Sequence, residues 1–95
     1  MPAYVFANIR VDDPIAYERY KQMVPETIAS FGGRYLARGG RVEVLEGDIE
    51  PGRTIILEFP TFEDARAWYA SPEYCAAKEV RHGCAQGEIV IVDGV

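Results

Sequence analysis

The sequence predicts an α+β domain of order β-α-β-β-α-β, and three observations carry that expectation. Apolar stretches with strand character open and close the chain, at residues 3–11 and 88–93. Two amphipathic helical regions follow start signals at Asp12-Asp13-Pro14 and at Thr61-Phe62-Glu63-Asp64. Between them lie two apolar runs separated by the breaker-rich turn at residues 47–52.

In the first strand Val5, Ala7 and Ile9 share one face, suited to a helix-covered core. Tyr4, Phe6, Asn8 and Arg10 share the other, half aromatic and half polar. Asp13 is placed to cap the first helix, with Pro14 at the first helical position. Tyr17, Tyr20, Val24, Ile28 and Phe31 follow at spacings of three and four, one apolar stripe. Pro25 interrupts the backbone bonding and predicts a kink or restart, because the stripe continues in phase. Gly32-Gly33 ends the helix.

Residues 34–46 read as a strand with a flaw, the paired Gly39-Gly40 suggesting a bulge or a close backbone approach. A hairpin symmetric about the following turn would set Glu46 against Arg53, Val44 against Ile55, Val42 against Leu57 and Arg41 against Glu58. The second helical region contains Phe62, Ala65, Trp68 and Tyr69 as its buried stripe. Ser71-Pro72 breaks it and starts a further short helix ending near His82-Gly83. Right-handed crossovers then give a ferredoxin-like sandwich: a four-stranded antiparallel sheet with helices on one face. Tyr4, Phe6, Ile56 and two residues of the last strand make the other face too apolar for water, so a homodimer packed sheet to sheet is expected.

The chain has 95 residues, one domain's worth, and a domain this small buries only roughly 60–65% of its unfolded surface. Net charge is −5 with scattered basic residues, which argues against nucleic acid and anionic membranes as partners. No apolar run approaches the roughly 20 residues that span a bilayer. The N-terminus reads as a strand and not as a signal peptide. Cys75 and Cys84 fit neither a metal spacing nor a disulfide framework, so two reduced thiols in a cytoplasmic protein are expected. Dinucleotide, P-loop, zinc-protease and nucleophile-elbow motifs are absent, and no cofactor or metal is expected.

The runs FGGRYL (31–36), RGG (38–40), VEVLEGD (42–48), ILEFP (56–60) and AWYASPEY (67–74) together resemble the bacterial domain-of-unknown-function family 1330. The resemblance covers nearly the whole chain. It implies a branch of the dimeric α/β-barrel superfamily, in which two ferredoxin-like subunits pair their sheets. Relatives in that superfamily include cofactor-independent monooxygenases, a lactone isomerase and haem-binding enzymes, so the resemblance implies an architecture and selects no activity.

Glu58 is the sharpest candidate for chemistry. A carboxylate between Leu57 and Phe59 in an apolar strand can act as acid or base; the competing structural role is an ion pair with Arg41, Arg38 or Arg10. Arg38, beside the double glycine, can clamp a carboxylate or enolate, or pair with Glu58. Trp68, Tyr69 and Tyr74 can line an aromatic pocket or simply fill the core, and the same choice holds for Tyr17 and Tyr20. Asn8 can donate to a ligand oxygen or bridge two subunits. His82, the single histidine, sits at a helix C-terminus; it is a poor metal centre, and a haem ligand is the remote alternative to a solvated residue. Two functional expectations follow. One is a small-molecule binding or enzyme domain with a cleft involving Arg38, Glu58 and Trp68, using proton transfer or enolate stabilisation of monooxygenase or isomerase type. The other is a non-catalytic dimeric module.

Overall fold

A computed structural model describes residues 1–95 as β1 (Ala3–Val11), α1 (Pro14–Ser30), β2 (Arg34–Arg38), β3 (Arg53–Phe59), α2 (Phe62–Ala70), α3 (Pro72–His82) and β4 (Ala85–Asp93). The helices start where the sequence places them. The Asp13 carboxylate accepts from the N–H groups of Ile15 and Ala16, the Thr61 hydroxyl from Asp64, and the Ser71 hydroxyl from Tyr74. Pro25 neither ends nor restarts α1, which runs through it as one element.

The sheet is antiparallel throughout, in the order β2-β3-β1-β4. This is the ferredoxin-like arrangement, with the helices covering one face. Val5, Ile28, Leu57, Phe59, Trp68 and Tyr74 form the centre of the core. On the opposite face the registers align Tyr4 with Glu58 and Val92, Phe6 with Ile56 and Val90, and Asn8 with Thr54 and Glu88. That face is open: Phe6 is 43% exposed, Val90 55% and Val92 54%. No helix is long and apolar enough to cross a membrane.

Two strand expectations need correction. β4 starts at Ala85, three residues before the expected Glu88. The larger change is in β2, which ends at Arg38 and does not continue to Glu46. Val42 and Val44 therefore face neither Leu57 nor Ile55. The observed pairs are Arg34 with Glu58, Tyr35 with Leu57, Ala37 with Ile56 and Arg38 with Ile55. The bulge lies at Leu36, between Tyr35 and Ala37, and not at Gly39-Gly40. The double glycine instead ends the strand: the Gly39 N–H makes the last rung to the Thr54 carbonyl at 2.9 Å, and Gly39 takes φ 70°, which only glycine adopts without strain.

Beyond Gly39 the chain is an arm, residues 40–52, exposed as far as Pro51, that makes no backbone–backbone hydrogen bond within the chain. Asn8 ties down its far end. The side-chain amide of Asn8 donates to the Glu50 carbonyl at 3.1 Å, and its oxygen accepts from the Gly52 N–H at 2.8 Å. Both ends of a buried amide are thus satisfied by the arm. Asn8→Ala is expected to lower stability by about 1–3 kcal/mol, read by denaturant titration, because it strips both bonds at a buried position.

Candidate active site

Strand parity and one bulge build a cleft between sheet and helices. On β1 Val5, Ala7 and Ile9 point toward the helices, and on β3 Arg53, Ile55 and Leu57 do so. A regular β2 would put Tyr35 and Ala37 on that face and turn Arg38 away. The extra residue at Leu36 shifts the parity, so Ala37 sits opposite Ile56 of the outer face and Arg38 opposite Ile55. Arg38 thereby joins the cleft, its guanidinium 4.4 Å above the Tyr35 ring.

The cavity holds about 40 Å³, enough for a few heavy atoms in its apolar interior. Tyr17, Tyr20 and Val24 of α1, Trp68 of α2 and Tyr74 of α3 close it from above. The Trp68 indole N–H donates to the Thr27 hydroxyl at 3.0 Å, which itself donates to the Val24 carbonyl, so Trp68 is a rigid wall. The Tyr20 and Tyr74 hydroxyls lie 2.9 Å apart in a hydrogen bond.

Charge around this cavity is one-sided. Lys21, Arg38 and Arg53 line it, and no Asp, Glu, His or Cys does. Lys21 is engaged by Glu18 at 2.8 Å. Arg38 and Arg53 take part in none of the three salt bridges of the chain, Arg10–Glu88, Lys21–Glu18 and Arg34–Glu58. The Arg53 Nε–H is buried and has no protein acceptor. Just behind the tyrosines Arg81 is only 4% exposed, with its Cζ 6.0 Å from the Tyr20 ring and its own Nε without an acceptor. In a chain of net charge −5, arginines converge on one spot with no carboxylate supplied to them.

Tyr17, Tyr20 and Tyr35 are neutral hydrogen-bond donors. Burial pushes the Tyr17 phenol up, against the pull of Arg53 and Arg81. Burial raises Tyr35 too, with Arg38 and Arg53 opposing. Tyr20 is driven far above the phenol range by burial and by Tyr74. The site can hold an oxyanion between guanidinium and hydroxyl donors, but no Asp, Glu, His or Cys lines it to act as a general base.

Of the residues singled out in the sequence, Arg38, Tyr17, Tyr20, Trp68 and Tyr74 meet at this cleft. The other four lie elsewhere. Glu58 is on the opposite face of the sheet, so the expected cleft of Arg38, Glu58 and Trp68 does not exist. Its partner is Arg34, at 2.8 Å directly across from β2, and not Arg41, Arg38 or Arg10. Arg10 pairs instead with Glu88. Asn8 is consumed by the arm. Tyr69 points to a separate groove beside Phe62 and Arg66, under the Lys78 ammonium at 4.2 Å. His82 is exposed at the end of α3. No group of three or more His, Cys, Asp or Glu side chains could hold a metal ion. Both cysteines are free thiols, and burial together with Asp13 and Asp12 pushes the Cys84 thiol up.

The comparisons with known proteins agree with this fold. The model of the domain of unknown function DUF1330 matches residues 2–95. The chain belongs to the DUF1330 family. A protein of unknown function from Rhodopseudomonas palustris is similar in structure, with TM-score 0.79 and 18% identity over 99% of this chain and 82% of that one. A dimeric ferredoxin-like protein of unknown function from Thermobifida fusca gives TM-score 0.67 and 14% identity over 99% and 92%. SnoaB, a cofactor-independent oxygenase from Streptomyces nogalater, gives TM-score 0.58 and 13% identity over 99% and 93%. No curated protein matches the chain.

Sequence reasoning missed Arg53 in this DUF1330 domain, assigning it to a pair with Glu46. The signal was present: in Arg53-Thr54-Ile55-Ile56-Leu57 the parity that buries Ile55 and Leu57 also turns Arg53 inward. Arg81 carried no comparable signal, since a basic residue in the last turn of a helix is ordinarily a solvated partner of the dipole.

Proposed function

We propose that this DUF1330 chain is a homodimer that binds a small organic acid in the cleft between sheet and helices, without metal or nucleotide. The observation that carries the reading is Arg53, whose buried Nε–H has no acceptor, lining a cavity free of carboxylates. A buried donor left unsatisfied costs about 1–3 kcal/mol, and a carboxylate offers the bidentate acceptor that removes this cost. The apolar interior is small, which favours a short alkyl or alkenyl tail pointing toward Val24 and Trp68. Where the bound acid carries a carbonyl, the same guanidinium and tyrosine donors hydrogen-bond its oxygen in the ground state. The homodimer is supported by the open apolar sheet face and by the dimeric ferredoxin-like neighbours.

Calorimetric titration with butyrate, and with butyramide as the neutral isostere, tests the reading. Butyrate is expected to bind at least about tenfold more tightly than the amide. Equal affinity would remove the arginines from recognition, and no heat from either would remove the site. Because no Asp, Glu, His or Cys lines the cavity, butyrate affinity is expected to stay flat between about pH 6 and 9. Glu58→Gln is expected to change that affinity by less than about twofold, since Glu58 lies on the other face.

A further inference from the structure

We infer that Arg81 is a positioning residue of the cleft: its buried guanidinium orients the Tyr74 and Tyr20 hydroxyls in series, so that the Tyr20 proton points to the bound acid. This role rests on the acid-binding reading proposed above and concerns the wall opposite the sheet.

Arg81 stands in the last turn of α3, where a basic side chain ordinarily reaches water and meets the helix dipole. Here it turns inward and is only 4% exposed. It belongs to none of the three salt bridges, and its Nε–H has no acceptor. As packing alone this is a poor choice, because a buried charge without an anion is costly and an apolar side chain of similar length would fill the same space.

What the guanidinium does meet is a pair of tyrosines. Tyr74, Ala77 and Arg81 are the buried stripe of α3, at spacings of three and four. Helical side chains lean toward the N-terminus of their helix, so Arg81 reaches over the small Ala77 toward Tyr74. Its Cζ lies 6.0 Å from the ring of Tyr20 on α1, and the Tyr20 and Tyr74 hydroxyls share their 2.9 Å bond. Burial pulls the Arg81 pKa down, and Tyr74 followed by Tyr20 more than offsets it.

The bond between the two hydroxyls has two possible directions. Arginine chooses between them, because it carries donors and no acceptor. An oxygen that faces it accepts, and the proton on that oxygen turns away. Tyr74, on the same stripe as Arg81, therefore sends its proton to the Tyr20 oxygen. Tyr20 then keeps its own proton for the cavity that it lines, where a carboxylate oxygen accepts it.

Calorimetric titration with butyrate of Arg81→Met, Tyr20→Phe and the double variant tests this. Arg81→Met is expected to weaken binding about fivefold in the otherwise unchanged chain, and by less than about twofold in the Tyr20→Phe background. Arg81→Lys, again a cation with donors only, is expected to bind within about twofold of the unchanged chain, a rescue that a role in packing would not give. Tyr74→Phe breaks the series and leaves Arg81 in place. It is expected to show the same loss and the same non-additivity with Tyr20→Phe, so the series is tested even where Arg81→Met does not fold. An Arg81→Met loss that persists undiminished in the Tyr20→Phe background marks a charge acting through space and overturns the positioning role. Unchanged affinity in Arg81→Met or in Tyr74→Phe, or Arg81→Lys as weak as Arg81→Met, overturns it while leaving the acid site standing. No butyrate heat from the unchanged chain overturns the acid site and this role together.

Discussion

Arg53→Met is expected to weaken butyrate binding by about two orders of magnitude, roughly 2–3 kcal/mol, with the fold intact. Methionine keeps much of the aliphatic stem that packs in the cleft and removes the donors. The loss is large because the Arg53 Nε–H is buried and has no protein acceptor to fall back on. Arg38→Met is expected to cost less, about 1 kcal/mol, because Arg38 is exposed and already stacked on Tyr35. Arg34→Met serves as the control: Arg34 sits on β2 as well, but its guanidinium pairs with Glu58 on the far face. Gly39→Ala reaches the same site by another route. A Cβ at Gly39 would lie 2.9 Å from the Arg53 Cζ, and φ 70° strains any side chain there. It should displace the Arg53 guanidinium and reproduce part of the Arg53→Met defect. Calorimetry on the four variants checks the order.

Trp68→Ala is expected to cost about 3–5 kcal/mol of stability, a large share of the roughly 5–15 kcal/mol that holds a domain together. Trp68 is 2% exposed and packs on Phe59 and Tyr74, with ring centroids 5.3 and 4.2 Å away. Its removal opens the cleft wall and leaves the Thr27 hydroxyl without its donor. Trp68→Phe separates these effects: it retains most of the packing, loses the indole N–H, and is expected to cost about 1–2 kcal/mol. Denaturant titrations at one fixed protein concentration give both numbers, since dimerisation couples to stability. A loss under about 1 kcal/mol for Trp68→Ala would mean the core is looser than the aromatic contacts indicate.

The fold was legible because its signals are local. Asp13, Thr61 and Ser71 cap helices where they stand in the sequence, and the alternation of Val5, Ala7 and Ile9 carries the core face. The β2–β3 hairpin misled because its apparent symmetry about residues 47–52 satisfies the same alternation rule as the true register. Nothing local distinguishes Val42 opposite Leu57 from Tyr35 opposite Leu57; the choice is made by the bulge at Leu36 and the left-handed turn at Gly39. That single difference also moved the candidate site. It turned Arg38 into the cleft and gave Glu58 to Arg34 on the other face. Arg53 was hidden by the same register, and Arg81 by the ordinariness of its position at a helix end. Arg38, Tyr17, Tyr20, Trp68 and Tyr74 were therefore readable as residue types. Its assembly depended on strand parity, which one extra residue reverses.

Anion binding in this domain stands or falls with Arg53. The most direct measurement is the arginine Nε–H resonance of Arg53, followed by NMR as butyrate is added. A saturable downfield shift of that one resonance, absent in Arg53→Met and not produced by butyramide, is the predicted result. Shifts confined to surface arginines such as Arg34, with Arg53 unmoved at saturating butyrate, would contradict it.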